Sequence, residues 1–256
     1  MLAVDRENNM TTTSKFHAGR LEFFDTATFE YMLPVAPIHF YEDFVGQSYV
    51  AVPAAGSAVD GCPFVKKIVG AGPPTLAGVA NAIGGQVACT LAATSEKEDC
   101  VLYWGDNLAL DCTKGLIFEC RSQLSVLPSA AGVQAVWGVA SAWIDGPQNN
   151  TCYLEFSAQA NGAVLVTAFD GVTTTSVASG VTVGTTDWHI YRIDATNLTD
   201  VAFYIDGVRV NADNSISFAA TGTLAVLQPY LAAYKASGTG VATLTVDYVR
   251  AWMNRQ

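Results

Sequence analysis

Apolar and polar residues alternate along most of this chain. In Cys152-Tyr153-Leu154-Glu155-Phe156-Ser157, the residues Cys152, Leu154 and Phe156 fall on one face of an extended segment, and Glu155 and Ser157 fall on the other. In Leu116-Ile117-Phe118-Glu119-Cys120-Arg121, the charged pair Glu119 and Arg121 lies opposite Leu116, Phe118 and Cys120. Side chains of a strand point alternately to its two faces, so a period of two marks strands buried on one side. The pattern predicts strands at 39–44, 64–69, 86–92, 100–104, 116–124, 133–142, 151–158, 164–169, 174–177, 188–193, 201–205, 208–210, 224–234 and 242–252. No long amphipathic helix is predicted. Asp170-Gly171 and Asp206-Gly207 separate strand pairs. Asp-Gly supplies the positive φ angles of a tight two-residue turn, so both are predicted to be such hairpins. Many short strands with turn signals between them indicate an antiparallel sandwich or barrel. No short repeat is present, which argues against a propeller or solenoid.

Residues 1–38 break this pattern. Asn8-Asn9 and Thr11-Thr12-Thr13 are polar and unpatterned, and short aromatic pieces around Phe23, Phe24, Phe29 and Tyr31 precede Pro34 and Pro37. These pieces are too short for a core of their own. Two expectations stand side by side. One is a terminus lying partly on the domain. The other is an extended N-terminal arm whose Phe23, Phe24, Phe29 and Tyr31 contact a neighbouring subunit. The body is expected over 39–256, with a loop-rich stretch around Pro53, Gly56, Asp60-Gly61 and Pro73-Pro74.

Composition narrows the class. Half of the 256 residues are hydrophobic and 14% are charged, which is the composition of a folded chain rather than a disordered one. Every apolar run is too short for a membrane-spanning helix. The formal net charge of -10 opposes nucleic-acid binding. The six cysteines, Cys62, Cys89, Cys100, Cys112, Cys120 and Cys152, form no C-x-x-C pair, so a zinc knuckle is not expected. The start, Met1 to Glu7, lacks a basic segment followed by an apolar one. The expectation is therefore synthesis in a reducing cytoplasm, with the thiols free.

Two stretches carry a resemblance. Trp188-His189-Ile190-Tyr191-Arg192-Ile193 followed by Val201-Ala202-Phe203-Tyr204-Ile205-Asp206-Gly207-Val208 resembles a strand pair of concanavalin A-like lectins, laminin-G-like modules and bacterial β-glucanases. Leu244 to Trp252 resembles the closing strand of the same fold. The resemblance implies an all-β, two-sheet antiparallel jelly-roll sandwich in which the first strand, here His39–Phe44, lies near the last. More narrowly, the segments Pro37 to Gly46, Ser95 to Asp99, Leu102 to Asp106, Gly115 to Glu119 and Leu227 to Tyr230 resemble tailed-bacteriophage head proteins of this fold. That likeness implies a virion structural protein decorating or cementing a capsid. Its partners would be the major capsid protein or other virion subunits, its state a homotrimer, and its place the capsid surface.

The chemistry expected of the fold is then tested on residues. The glucanases place two or three acids on one strand as Glu-x-Asp-x-x-Glu or Glu-x-Asp-x-Glu, because alternate side chains share a cleft. Here Tyr153 to Gln159 holds the single acid Glu155. Glu119 has Arg121 on its own face and is expected to be a paired, structural carboxylate. No G-x-S-x-G motif occurs, and His189 is expected simply to fill its place in a sheet. Asp106, Asn107 and Asp111 could donate oxygen to calcium, but without the alternating acidic loop pattern a solvated turn is expected. No catalytic residue, cofactor or metal is assigned. The alternative to the capsid role is a carbohydrate-binding module for host surface glycans. Trp104, Trp143 and Tyr153 are its candidate contacts, weighed with Trp137 against ordinary burial of aromatics in the core.

Overall fold

The computed structural model describes residues 12–17, 20–25, 38–46, 49, 51–56, 63–146 and 148–255. Strands β1 (Thr12–His17) and β2 (Arg20–Asp25) form an antiparallel hairpin within a compact unit of residues 1–37. The second unit starts at Ile38 and holds two eight-stranded sheets.

The front sheet runs β13 (Thr174–Thr182), β12 (Ala163–Phe169), β11 (Tyr153–Ala158), β10 (Val133–Ala140), β17 (Val226–Lys235), β7 (Glu98–Tyr103) and β4 (Val65–Val69), with β8 (Leu110–Asp111) also paired to β17. The back sheet runs β16 (Val208–Arg209), β15 (Ala202–Ile205), β14 (His189–Ala195), β9 (Leu116–Val126), β18 (Thr243–Met253), β6 (Val87–Thr90) and β5 (Thr75–Gly78), with β3 (Ile38–Glu42) paired to β18. All strand pairs are antiparallel, and no α-helix occurs among the described residues. The expected all-β sandwich is thus the observed fold. The first body strand does lie against the last, with Ile38 opposite Met253 and His39 opposite Trp252.

The sheets are joined by the apolar positions of the alternation. Leu154 and Phe156 of β11, Trp137 of β10, Leu231 of β17, Tyr191 and Ile193 of β14, Phe203 of β15 and Phe118 of β9 are all buried in one core. At its centre Trp137 stacks on Phe156, ring centroids 6.2 Å apart and 10° between planes, and Tyr191 meets both edge-on at 4.8 and 5.1 Å. Phe203 closes the group 5.3 Å from Phe156. Each such side chain contributes about 1.5–3 kcal/mol by leaving water, and offset or edge-on ring contacts add to that. Trp137, weighed as a sugar contact, is therefore a core residue.

Five details differ from the sequence pattern. Thr75–Gly78 follows Pro73-Pro74 in a stretch rich in turn formers, yet it is a strand because β6 offers it a ladder. β8 is a two-residue strand on β17, too short to show a period. β13 runs on to Thr182, well past the predicted end. Asp206 and Gly207 do form a tight turn, with φ of 51° and 81°. Asp170 instead starts a four-residue connection, and its Oδ1 accepts from the N–H groups of Val172 and Thr173. An Asx turn of this kind competes with the two-residue hairpin and wins here.

The fifth concerns Glu119. Its partner is not Arg121. Its side chain is 2% exposed and meets Arg192 Nη2 at 2.8 Å, Arg250 Nη2 at 2.6 Å and the Tyr248 hydroxyl at 2.8 Å. Arg192 and Arg250 stand directly opposite Glu119 on β14 and β18. Opposite residues on neighbouring strands are about 4.5–5.5 Å apart at Cβ, nearer than same-face residues along one strand. Arg121 turns to Asp247 at 2.5 Å and lies over the Trp188 ring.

Cys89, Cys100, Cys112, Cys120 and Cys152 are buried and unbridged. Burial pushes the Cys100, Cys112 and Cys120 thiols far up, and that of Cys152 up to about 11. Cys62 lies outside the described residues.

Replacing Trp137 with alanine is expected to cost about 3–5 kcal/mol of unfolding free energy in urea titrations. A loss below ~1 kcal/mol would mean that the aromatic centre is not what joins the sheets.

Candidate functional site

The outer face of the front sheet is where the alternation places side chains turned away from the core. Three rows cross it. Thr167, Glu155, Gly138, Tyr230, Tyr103 and Val65 stand side by side on six successive strands. Beside them run Leu165, Ser157, Val136, Ala232, Val101 and Lys67. On the other flank stand Phe169, Tyr153, Ala140 and Gln228. A second apolar cluster forms here from Val65, Val101, Tyr103, Val136, Ala140, Tyr153, Tyr230 and Ala232, with Trp143 and Phe169 packed on it. Tyr153 and Phe169 are 5.5 Å apart.

The connection from β10 to β11 builds a wall over this face. Trp143 donates its backbone N–H to Asp106 Oδ1 at 2.7 Å and its indole N–H to Asp99 Oδ2 at 3.0 Å. Because Asp106 and Asp99 lie at opposite ends of β7, the indole is laid along that strand. Gln228 fixes the Asp106 end: its amide donates to Asp106 Oδ1 and its oxygen accepts from the N–H groups of Trp104 and Asp106. Asn150 is buried and donates to the carbonyls of Ser141 and Ala142. Lys67 Nζ stands 4.3 Å from the Trp143 ring centroid. Further along the wall, Gln148 donates to Glu155 Oε1.

Two carboxyls therefore sit on an apolar face. Glu155 is 4% exposed and Asp99 is 1% exposed. Burial pushes Glu155 up to about 8, opposed by the Gln148 hydrogen bond. Burial likewise pushes Asp99 up to about 7, opposed by the Trp143 indole. At neutral pH Glu155 is mostly protonated and can donate a hydrogen bond. Gly138 beside it carries no side chain, and a Cβ there would lie 2.2 Å from the Leu154 carbonyl oxygen and 2.8 Å from Glu155 Cα. The Ser157 hydroxyl, two residues on, is buried with no hydrogen-bond partner.

Hydrolysis of a glycosidic bond needs two carboxyls about 5–5.5 Å apart with retention, or about 6.5–9.5 Å apart with inversion. The residues around Glu155 on this face are Tyr153, Ser157, Thr167, Gly138, Val136, Ala140, Leu165 and Phe169, none of them an acid. Asp99 is three strand spacings away, at least ~14 Å between backbones.

The structure brings Trp143 and Tyr153 together on the outer face. It does not bring Trp104 there. Trp104 packs toward the main core against Phe40 at 4.8 Å and Phe64 at 6.3 Å. Position 104 continues the core-facing series Cys100 and Leu102 of β7, so the alternation itself sends Trp104 inward. The backbones of Phe23 and Phe24 belong to β2, but their side chains, like Phe29 and Tyr31, lie outside the described residues. Asp106 and Asp111 do not converge: the first holds Trp143 and Gln228, and the second accepts from Thr113 N–H. His189 Nδ1 meets Asp206 Oδ2 at 2.6 Å and ties β14 to its hairpin turn. Asp99 was not among the sequence candidates. Its signal is only an acid directly before the apolar run Cys100 to Tyr103.

No family model matches the chain and no curated protein resembles it in sequence. Solved structures do resemble it. A protein of unknown function from Shewanella oneidensis MR-1 superposes with a TM-score of 0.59 at 10% identity, over 89% of this chain and 91% of that one. A β-1,3-glucanase from Mycobacterium marinum gives 0.54 at 17%, over 83% and 97%. An immunostimulatory antigen and pseudo β-1,3-glucanase of Mycobacterium tuberculosis gives 0.51 at 16%, over 84% and 98%. At such identities the likeness shows a shared jelly-roll fold. It also corrects the expected bacteriophage capsid role: two of these three neighbours are named for glucan chemistry and none for a virion.

The raised acids set a pH dependence. Between the ordinary carboxyl range near 4 and the folded values of about 7 and 8, the folded chain holds protons that the unfolded chain releases. Stability from these groups is therefore full at low pH and is lost as pH rises through that window. The drop in Tm from about pH 5 to about pH 9 is expected to be smaller in Glu155→Gln than in the parent chain. An equal drop in differential scanning calorimetry would show that Glu155 ionises as freely folded as unfolded.

Proposed function

We propose that the chain binds glycans on the outer face of the front sheet and does not hydrolyse them. The observation that carries this is the partly exposed Trp143 and Phe169, packed on the outer-face aromatic cluster that holds Tyr153, Tyr230 and Tyr103, with the row Thr167, Glu155 and Gly138 beside it. Sugar rings offer apolar C–H faces and a rim of hydroxyls. Aromatic side chains meet the first, and buried polar groups with fixed directions meet the second. Protonated Glu155 donates, and the unpartnered Ser157 hydroxyl can do either. The glucanase and pseudo-glucanase names of the fold neighbours support the ligand class. The lack of a second acid beside Glu155 among the described residues supports binding without cleavage.

Isothermal titration against laminarin, barley β-glucan and their C6-oxidised forms tests this. Binding to at least one polymer is expected, weakened about tenfold or more by Trp143→Ala or Tyr153→Ala, that is by about 1.4 kcal/mol. Reducing-sugar release should stay at background. A correctly folded chain that binds none of them would overturn the proposal, and release above background would overturn its non-hydrolytic part.

A further inference from the structure

The geometry points to an acidic glycan, carrying a carboxylate on the sugar, with Lys67 as the residue that selects it. This rests on the glycan-binding role proposed above and adds the ligand's charge. The chain holds 23 acidic and 13 basic residues. On the front face the acids are either buried or already engaged. Asp99 and Glu155 are buried among apolar side chains. Asp106 Oδ1 is engaged by Trp143 and Gln228, and Asp145 is paired with Lys97 at 2.7 Å. Lys67 has no carboxylate within ion-pair distance among the described residues, and its ammonium lies over the Trp143 ring. Among the described residues it is a charge of this face without an ion-pair partner.

A lysine on β4 has an ordinary explanation, since edge strands carry lysines that block pairing with other chains. A guard of that kind belongs in water. Lys67 is only half-exposed and is held on an indole whose N–H is fixed by Asp99. Lys66, next to it, already supplies charge to the same edge. A cation kept over an aromatic ring at the end of a polar and aromatic face is placed to meet an anion on a bound ring. Long-range attraction cannot be the cause, because the net charge of -10 repels anions. Selection must come from the local contact.

The test compares sugars that differ only in the carboxylate. Titration of the full chain with laminarin and barley β-glucan, each beside its C6-oxidised glucuronate form, should show at least tenfold tighter binding of an oxidised form. Lys67→Gln should abolish that preference and Lys67→Arg should keep it. Lys114→Gln, which removes a lysine beyond the end of β8, should leave the preference intact. Equal affinity for neutral and oxidised forms would overturn the inference while leaving the glycan-binding role standing. So would a preference that persists in Lys67→Gln or disappears equally in Lys114→Gln. If no polymer binds at all, both fall together.

Discussion

The dry interface between the two sheets is the constraint on which everything else depends. Trp137, Phe156, Tyr191 and Phe203 fix how the sheets face each other, and the alternation then decides which residues are left for the outside. Each side chain assigned to the core on β10 and β11 forces its neighbour onto the outer face. Glu155 stands outward because Leu154 and Phe156 stand inward. A slip of one residue would bury the acid between the sheets and expose the aromatic rings.

The front sheet is unusual in being buried on both sides along its middle strands, since every residue of β7 and β11 is buried. That second burial makes the outer face chemically active. An exposed carboxyl would be an ordinary anion, whereas one shielded by the Trp143 wall is a neutral donor near neutral pH. The wall in turn depends on polar anchors rather than on packing alone. Asp106, Gln228 and Asp99 hold Trp143 by backbone and ring, and a buried Lys235–Glu98 pair fastens the neighbouring connection through the carbonyls of Ala92 and Thr94.

Most of the sandwich was legible in the sequence because a period of two survives wherever one face is buried and the other is wet. β9, β11, β14 and β18 all sit within a few residues of their predicted places. Legibility fails where a strand exists only because a neighbour offers it hydrogen bonds, as at β5 and β8. The site was half legible. Tyr153 and Glu155 could be placed on one face by alternation. Trp143 could be nominated as an aromatic but not positioned, because it sits in a connection. Trp104 was misplaced although it shares the core-facing parity of Cys100 and Leu102. Asp99 was invisible, since an acid at the start of an apolar run looks like a strand boundary until the partner strand and the indole are in place. Glu119 shows the converse limit. Its structural role was readable from its face, but its partners came from two strands far along the chain.

The five buried thiols offer a use that has nothing to do with ligand. Thiolate is the reactive form, and burial suppresses it in Cys100, Cys112 and Cys120. Cys89 and Cys120 on β6 and β9 of the back sheet and Cys100 on β7 of the front sheet belong to the same sandwich core. An alkylating reagent can therefore reach them only when the layers separate. The rate at which they are labelled becomes a clock for opening of the sandwich, with one set of hands on each sheet.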